Sequence, residues 1–140
     1  MVNRILDGGE GGFTLLGMGD GVMPADLPET SLLIGDSDTS SLAVMTTGRT
    51  RSRVDSRLTS AAPELSDETW IDVVEISVDE GPVMLTGLTE FEALLTVIPD
   101  EGAHRLRISR RTVPKGDELL FEAWPAPVAP AVVHRSHVPE

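Results

Sequence analysis

The repeat of the apolar pattern constrains this chain more than any other feature. Where hydrophobic residues recur regularly they mostly do so at every second position, the period of an extended strand whose successive side chains point to opposite faces. His104-Arg105-Leu106-Arg107-Ile108-Ser109 alternates without a break, with Leu106 and Ile108 predicted inward and Arg105 and Arg107 outward. A second strand, Glu118-Leu119-Leu120-Phe121-Glu122-Ala123-Trp124, follows a Val113-Pro114-Lys115-Gly116-Asp117 connector whose Pro and Gly mark a hairpin. Antiparallel pairing of these two lets Glu118 and Glu122 face arginines of the preceding strand. Upstream, residues 70–78 are dense in β-branched side chains and stop at Asp79-Glu80-Gly81-Pro82, and 83–85 and 91–98 read as the strands that follow. A helix over 88–95 competes for the last of these, but the β-branched residues leading to Ile98 favour strand. In the first half, 31–34 and 41–46 are short strands, and 49–58 alternates with Arg49, Arg51, Arg53, Asp55 and Arg57 on one wet face.

Turn signals fall roughly 10–17 residues apart, near the ~8–12 of sandwiches and barrels. The expected fold is therefore all-β, a single-domain antiparallel β-sandwich over residues 1–130. Residues 1–30 form a glycine-rich, loosely structured lead in which only 13–16 are expected to be extended. After Trp124, Pro125-Ala126-Pro127-Val128-Ala129-Pro130 predicts an extended, polyproline-like segment, and 131–140 a flexible tail.

Charge narrows the functional classes. The chain carries 23 acidic and 11 basic residues, a formal net charge of −12. A field of that sign repels nucleic-acid phosphate and anionic lipid, and steers in a cationic protein. Between residues 59 and 102 there are eleven acidic residues and no Lys or Arg. Within that stretch Asp72, Glu75, Asp79, Glu80, Glu90, Glu92, Asp100 and Glu101 are the candidate partner-binding surface. Nine of the eleven basic residues sit in two short segments, 49–57 and 105–115. The stripe of Arg49, Arg51, Arg53 and Arg57 either tracks a phosphate backbone or is neutralised by neighbouring carboxylates. With three Phe, two Trp and no Tyr to stack bases, neutralisation is favoured. No apolar run approaches the ~18 residues of a membrane helix, and the first residues lack a signal-peptide core, so a cytoplasmic protein with no membrane or nucleic-acid partner is expected.

Catalytic and ligand-binding motifs are incomplete. The absence of cysteine removes disulfides, thiol chemistry and cysteine metal sites. Leu33-Ile34-Gly35-Asp36-Ser37 is similar to the nucleophile block of GDSL esterases, but no Asp-x-x-His pair supplies a base, and a nucleophile without a base is inert. A hydrolase using Ser37 is thus the least favoured reading. Asp36-Ser37-Asp38 reads as a turn, because Ser41 and Thr47 stand where a calcium loop needs Gly and Glu. Gly8-Gly9-Glu10-Gly11-Gly12 and Gly17-Met18-Gly19-Asp20-Gly21 lack the spacing of phosphate loops and carry repelling carboxylates. His104 has no second ligand nearby, and His134 and His137 lie in the tail. No cofactor or metal is expected.

The C-terminal half resembles a known family. Pro99-Asp100-Glu101-Gly102-Ala103-His104-Arg105-Leu106-Arg107-Ile108, a turn, and then Asp117-Glu118-Leu119-Leu120-Phe121-Glu122-Ala123-Trp124-Pro125-Ala126-Pro127 are similar to small actinobacterial proteins related to competence protein J, a nuclease inhibitor. The resemblance covers residues 70–130. It implies a compact β-sandwich that acts by stoichiometric binding: an immunity-like inhibitor of a nuclease or toxin whose acidic surface mimics nucleic-acid phosphate. The alternative is a structural or assembly protein that homo-oligomerises through its sheet edges and Pro-rich tail.

Overall fold

The alternating segments pair off into two sheets. The computed structural model describes residues 2–7, 12–16, 33–36, 41–45, 51–64, 69–78, 82–87, 93–113 and 116–135. Its strands are β1 (Val2–Asp7), β2 (Gly12–Leu16), β3 (Leu33–Asp36), β4 (Ser41–Met45), β5 (Arg51–Leu58), β6 (Asp72–Val78), β7 (Val83–Gly87), β8 (Ala93–Ile98), β9 (His104–Val113), β10 (Gly116–Pro125) and β11 (Val132–Arg135). There is no helix among the described residues. One sheet has six strands in the order β1-β5-β10-β9-β6-β11, the other five in the order β3-β4-β2-β7-β8.

The fold is all-β, as expected, with one departure from a purely antiparallel sandwich. β5 and β10 run parallel, from Asp117 opposite Ser52 to Ala123 opposite Leu58. The six-stranded sheet is therefore mixed. The parallel ladder continues past its end through the bond from the Thr59 amide to the Ala123 carbonyl, 2.9 Å. β9 and β10 form the expected hairpin, Gly116 opposite Val113 through Pro125 opposite His104. Gly116 and Gly102 both adopt positive φ, 140° and 109°, where a side chain would be strained. Gly102 lies in the turn that brings β8 out of the five-stranded sheet and back as β9.

One hydrophobic cluster joins the sheets. Val54, Val74, Ile76, Leu106, Ile108, Leu119 and Phe121 come from the larger sheet, and Phe13, Leu15, Val83, Leu85, Val97 and Ile98 from the smaller. Register explains the selection. Ile108 stands opposite both Val74 and Phe121, and Leu106 opposite both Ile76 and Ala123, so the inward residues of three neighbouring strands form continuous apolar rows.

Three expectations are corrected. Residues 2–7, assigned to a loose lead, form β1, antiparallel to β5 from Val2 opposite Ser56 to Asp7 opposite Arg51. The pattern there is weak, and the strand exists because β5 offers it an edge. The expected flexible tail at 131–135 contains β11, paired with β6 through a register shift between Val133 and Arg135. Residues 136–140 lie outside the described residues, as do Ser37 and, of the two glycine motifs, residues 8–11 and 17–21; Leu33–Asp36, ahead of Ser37, form β3, and Gly12 opens β2. Finally, Arg105 and Arg107 do leave the core face, yet both are buried, at 7% and 4% exposure. Over β6, β9 and part of β10 the sheet's second face is covered, while Arg53 and Arg57 on β5 stay exposed, as the alternation there predicted.

Replacing Phe121, which is fully buried, with Ala is expected to cost about 3–5 kcal/mol of unfolding free energy. The loss should appear as a lowered urea midpoint, while Leu58→Ala, at a site 49% exposed, should shift stability by no more than about 0.5 kcal/mol.

Candidate functional site

The covered face of the six-stranded sheet is built from charge. Alternation sends the odd-numbered residues of β5, β6 and β9 and the even-numbered residues of β10 to this side, and register lines them up across strands. One row runs Glu75, Arg107, Glu122, Arg57, carboxylate and guanidinium in turn. The row on one side holds Ser77, Arg105 and Trp124. Beyond the central row on the other side lie Val73, Ser109, Leu120 and Asp55, and then Arg111, Glu118 and Arg53.

Short contacts knit the central row. Arg107 donates from Nε to Glu75 Oε1 at 2.9 Å and from Nη1 to the Pro63 carbonyl at 2.9 Å. Its Nη2 is 2.8 Å from Glu75 Oε1, and its guanidinium lies 5.2 Å from the centre of the Trp124 ring. Arg57 donates to Glu122 Oε2 at 2.9 Å. Glu75 also accepts from Arg105 Nε at 3.2 Å, on its other oxygen. Toward the far end, Arg111 bonds the Thr69 hydroxyl, pairs with Glu118 at 3.3 Å and sits over Trp70 at 4.3 Å. On the core-facing side of the same sheet, Arg110 grips Asp72 Oδ2 from Nε at 2.9 Å and from Nη2 at 2.6 Å. Asp55 keeps one buried oxygen, Oδ1, with no hydrogen-bond partner.

The cover over this face is the chain itself. From Pro125 the backbone crosses above β9 and β6 and returns as β11 on the outer edge of β6. Arg105 donates from Nη1 to the Ala129 carbonyl at 3.0 Å and from Nη2 to the Pro130 carbonyl at 2.8 Å. The Ala129 amide donates to Ser77 Oγ at 2.9 Å, and Arg105 Nη1 reaches the same hydroxyl at 3.1 Å. His134 Nε2 stands 2.8 Å from Glu75 Oε1, and Arg135 Nη1 donates to the Trp70 carbonyl at 3.1 Å. Burial pushes the Glu75 carboxyl upward, but hydrogen bonds from Arg107, His134 and Arg105 outweigh it and hold the group below its ordinary 4.5.

These positions redraw the predicted acidic surface. Asp72 and Glu75 are buried, at 0% and 9% exposure, and are committed to arginines of β9. They are not part of an exposed contact surface, because each occupies a strand position opposite or beside a guanidinium that needs it. Asp100 and Glu101 are exposed in the turn between β8 and β9. Asp79, Glu80, Glu90 and Glu92 lie outside the described residues. Of the arginine stripe, Arg53 and Arg57 contact carboxylates, at 3.5 Å to Asp55 and 2.9 Å to Glu122. The side chains of Arg49 and Arg51 lie outside the description. Sequence reading missed Ser77, the Ala129 and Pro130 carbonyls and His134 as partners of the charged row. The Pro/Ala composition signalled an extended segment, but nothing in it signalled the course. Among the described residues, no group of three or more His, Asp or Glu is placed to hold a metal ion, and no helix is long and apolar enough to cross a membrane.

No protein-family model matches this chain, and no curated protein matches it in sequence. Two solved structures share its architecture. The crystal structure of ComJ, inhibitor of the DNA degrading activity of NucA, from Bacillus subtilis, aligns over 90% of this chain and 96% of its own with a TM-score of 0.58 and 15% identity. A protein described as crocagin biosynthetic gene J aligns over the same shares with a TM-score of 0.51 and 13% identity. The fold is ComJ-like.

Because the folded protein holds Glu75 below its ordinary 4.5, the carboxylate stabilises the fold above that value. That contribution is lost as pH falls through the lowered one. Glu75→Gln should be less stable than the native protein near neutrality and should lose less stability on acidification. The two urea-denaturation curves should converge at acid pH, and a gap that stays constant with pH would contradict this assignment.

Proposed function

We propose that this protein is a non-catalytic inhibitor that binds a cationic DNA-degrading enzyme and occludes it with an acidic surface. The observation that carries the reading is internal neutralisation within a ComJ-like fold. Among the described residues, six arginines, Arg53, Arg57, Arg105, Arg107, Arg110 and Arg111, hold carboxylates of the same sheet. Those guanidinium groups are engaged with the protein's own acids, which disfavours them as a phosphate track. The net charge of −12 therefore falls on acidic residues elsewhere, where it attracts a basic protein surface and repels DNA. The inhibitor reported for the ComJ structure acts on a DNA-degrading activity, which matches that electrostatic profile.

The proposed contact residues are Asp79, Glu80, Glu90 and Glu92 together with the exposed Asp100 and Glu101. Their role is to stand in for the phosphates that the enzyme's basic cleft would otherwise bind. Long-range attraction of this kind accelerates encounter and weakens with salt, because screening acts within about 10 Å at 0.1 M. No bond is made or broken by the inhibitor, so inhibition should be stoichiometric.

The test is a DNA-cleavage assay with a cationic DNA-degrading enzyme from the protein's own host, titrated with the purified protein. Inhibition should saturate at a fixed molar ratio and weaken steadily from about 50 mM to about 500 mM salt. The pair Asp100→Asn and Glu101→Gln should raise the inhibition constant about three- to tenfold, on the order of 1 kcal/mol. Cleavage that proceeds unhindered at molar excess, or inhibition indifferent to salt, would overturn the proposal.

A further inference from the structure

The C-terminal segment is seated on the rest of the protein much as a bound peptide would be. Among the described residues, every buried member of the core cluster lies between Phe13 and Ala123, and of residues 126–135 Ala131 alone is among those packed against it. Pro125, Pro127, Val128, Ala129 and Pro130 are exposed. What holds the segment is polar and local: Arg105 on two carbonyls, Ser77 on the Ala129 backbone, Glu75 against His134, and a four-residue strand interrupted by a register shift. Such a segment opens at low free-energy cost relative to global unfolding, because its departure leaves the core intact. Departure also strips Arg105 of two acceptors and exposes the β6 edge, a row of unpaired backbone groups that another extended chain can fill.

We propose that residues 126–135 exchange between two copies of this chain, the segment of each seating on Arg105, Ser77 and the β6 edge of the other. The occupant is specified by what already sits there: a second copy brings a segment of identical sequence whose carbonyls, amide and strand register reproduce every contact one for one. The prolines at 125, 127 and 130 fix their own φ and lack amide donors, so the connection favours an extended course over a collapsed turn. Exchange therefore forms no contact that the single chain lacks and depends on concentration alone. This dimer is independent of the nuclease reading.

Light scattering on the full chain should show a dimer fraction that rises with concentration. A fluorescent synthetic peptide of residues 126–135 should bind the full-length protein and lower that fraction. Arg105→Lys keeps the charge but loses the two-pronged donor geometry, and should weaken peptide binding about tenfold. The chain has no cysteine, so a Ser77→Cys/Ala129→Cys variant gives a second readout. Oxidised when dilute, it should be locked as a monomer; oxidised when concentrated, it should run as a covalent dimer under denaturing conditions. A chain that stays monomeric at every concentration, a dimer untouched by the peptide, or a dimer that persists in the dilute-oxidised variant would each overturn the exchange.

Discussion

Burial of arginine on the second face of the six-stranded sheet is the constraint from which the rest of this structure follows. A guanidinium cannot be deprotonated in a protein, so each one taken out of water must meet carboxylates or carbonyls. Arg107 meets Glu75 and lies between it and Glu122 in the register of three neighbouring strands, and Arg57 extends the row to a fourth. Ion pairs of this kind add little net stability over an apolar replacement, since desolvation consumes most of the attraction. Their effect here is on alignment. Slipping β9 against β10 by two residues would place Arg107 opposite Trp124 or Leu120 and leave buried charges without their partners.

The same requirement explains why the chain folds back over its own sheet. Glu75 and Ser77 occupy the outward positions of β6, and Arg105 the position opposite Ser77 on β9. Arg105 has more donors than Glu75 and Ser77 can accept, and the Ala129 and Pro130 carbonyls accept the remainder. Prolines suit this role because they supply carbonyls on a chain that has few amide donors to satisfy in return. The covering segment thus completes a polar network more than it completes a core, and for that reason it is separable from the sandwich beneath it.

The proposed function rests on this internal distribution of charge. A face bearing Arg53, Arg57, Arg105, Arg107 and Arg111 reads in isolation as a nucleic-acid surface. Once its carboxylates are placed, it becomes a neutralised part of the scaffold, and the protein's negative excess is displaced to other positions. Asp100 and Glu101 show the contrast with Asp72 and Glu75: all four belong to the acidic stretch between 59 and 102, but the first two sit in a turn and the last two in a strand opposite arginines.

By itself the sequence determined the strands with clean alternation, the β9–β10 hairpin with Glu118 and Glu122 facing its arginines, and the all-β class, because a two-residue period leaves one way to segregate apolar from polar side chains. It did not determine β1, the parallel pairing of β5 with β10, or β11, since strand partnership depends on residues far apart in the chain and a short strand borrows its order from its neighbour. Nor did it separate Asp72 and Glu75 from the exposed acids. Composition counts charges, while only the tertiary structure decides which of them stand opposite a guanidinium and are withdrawn from solvent.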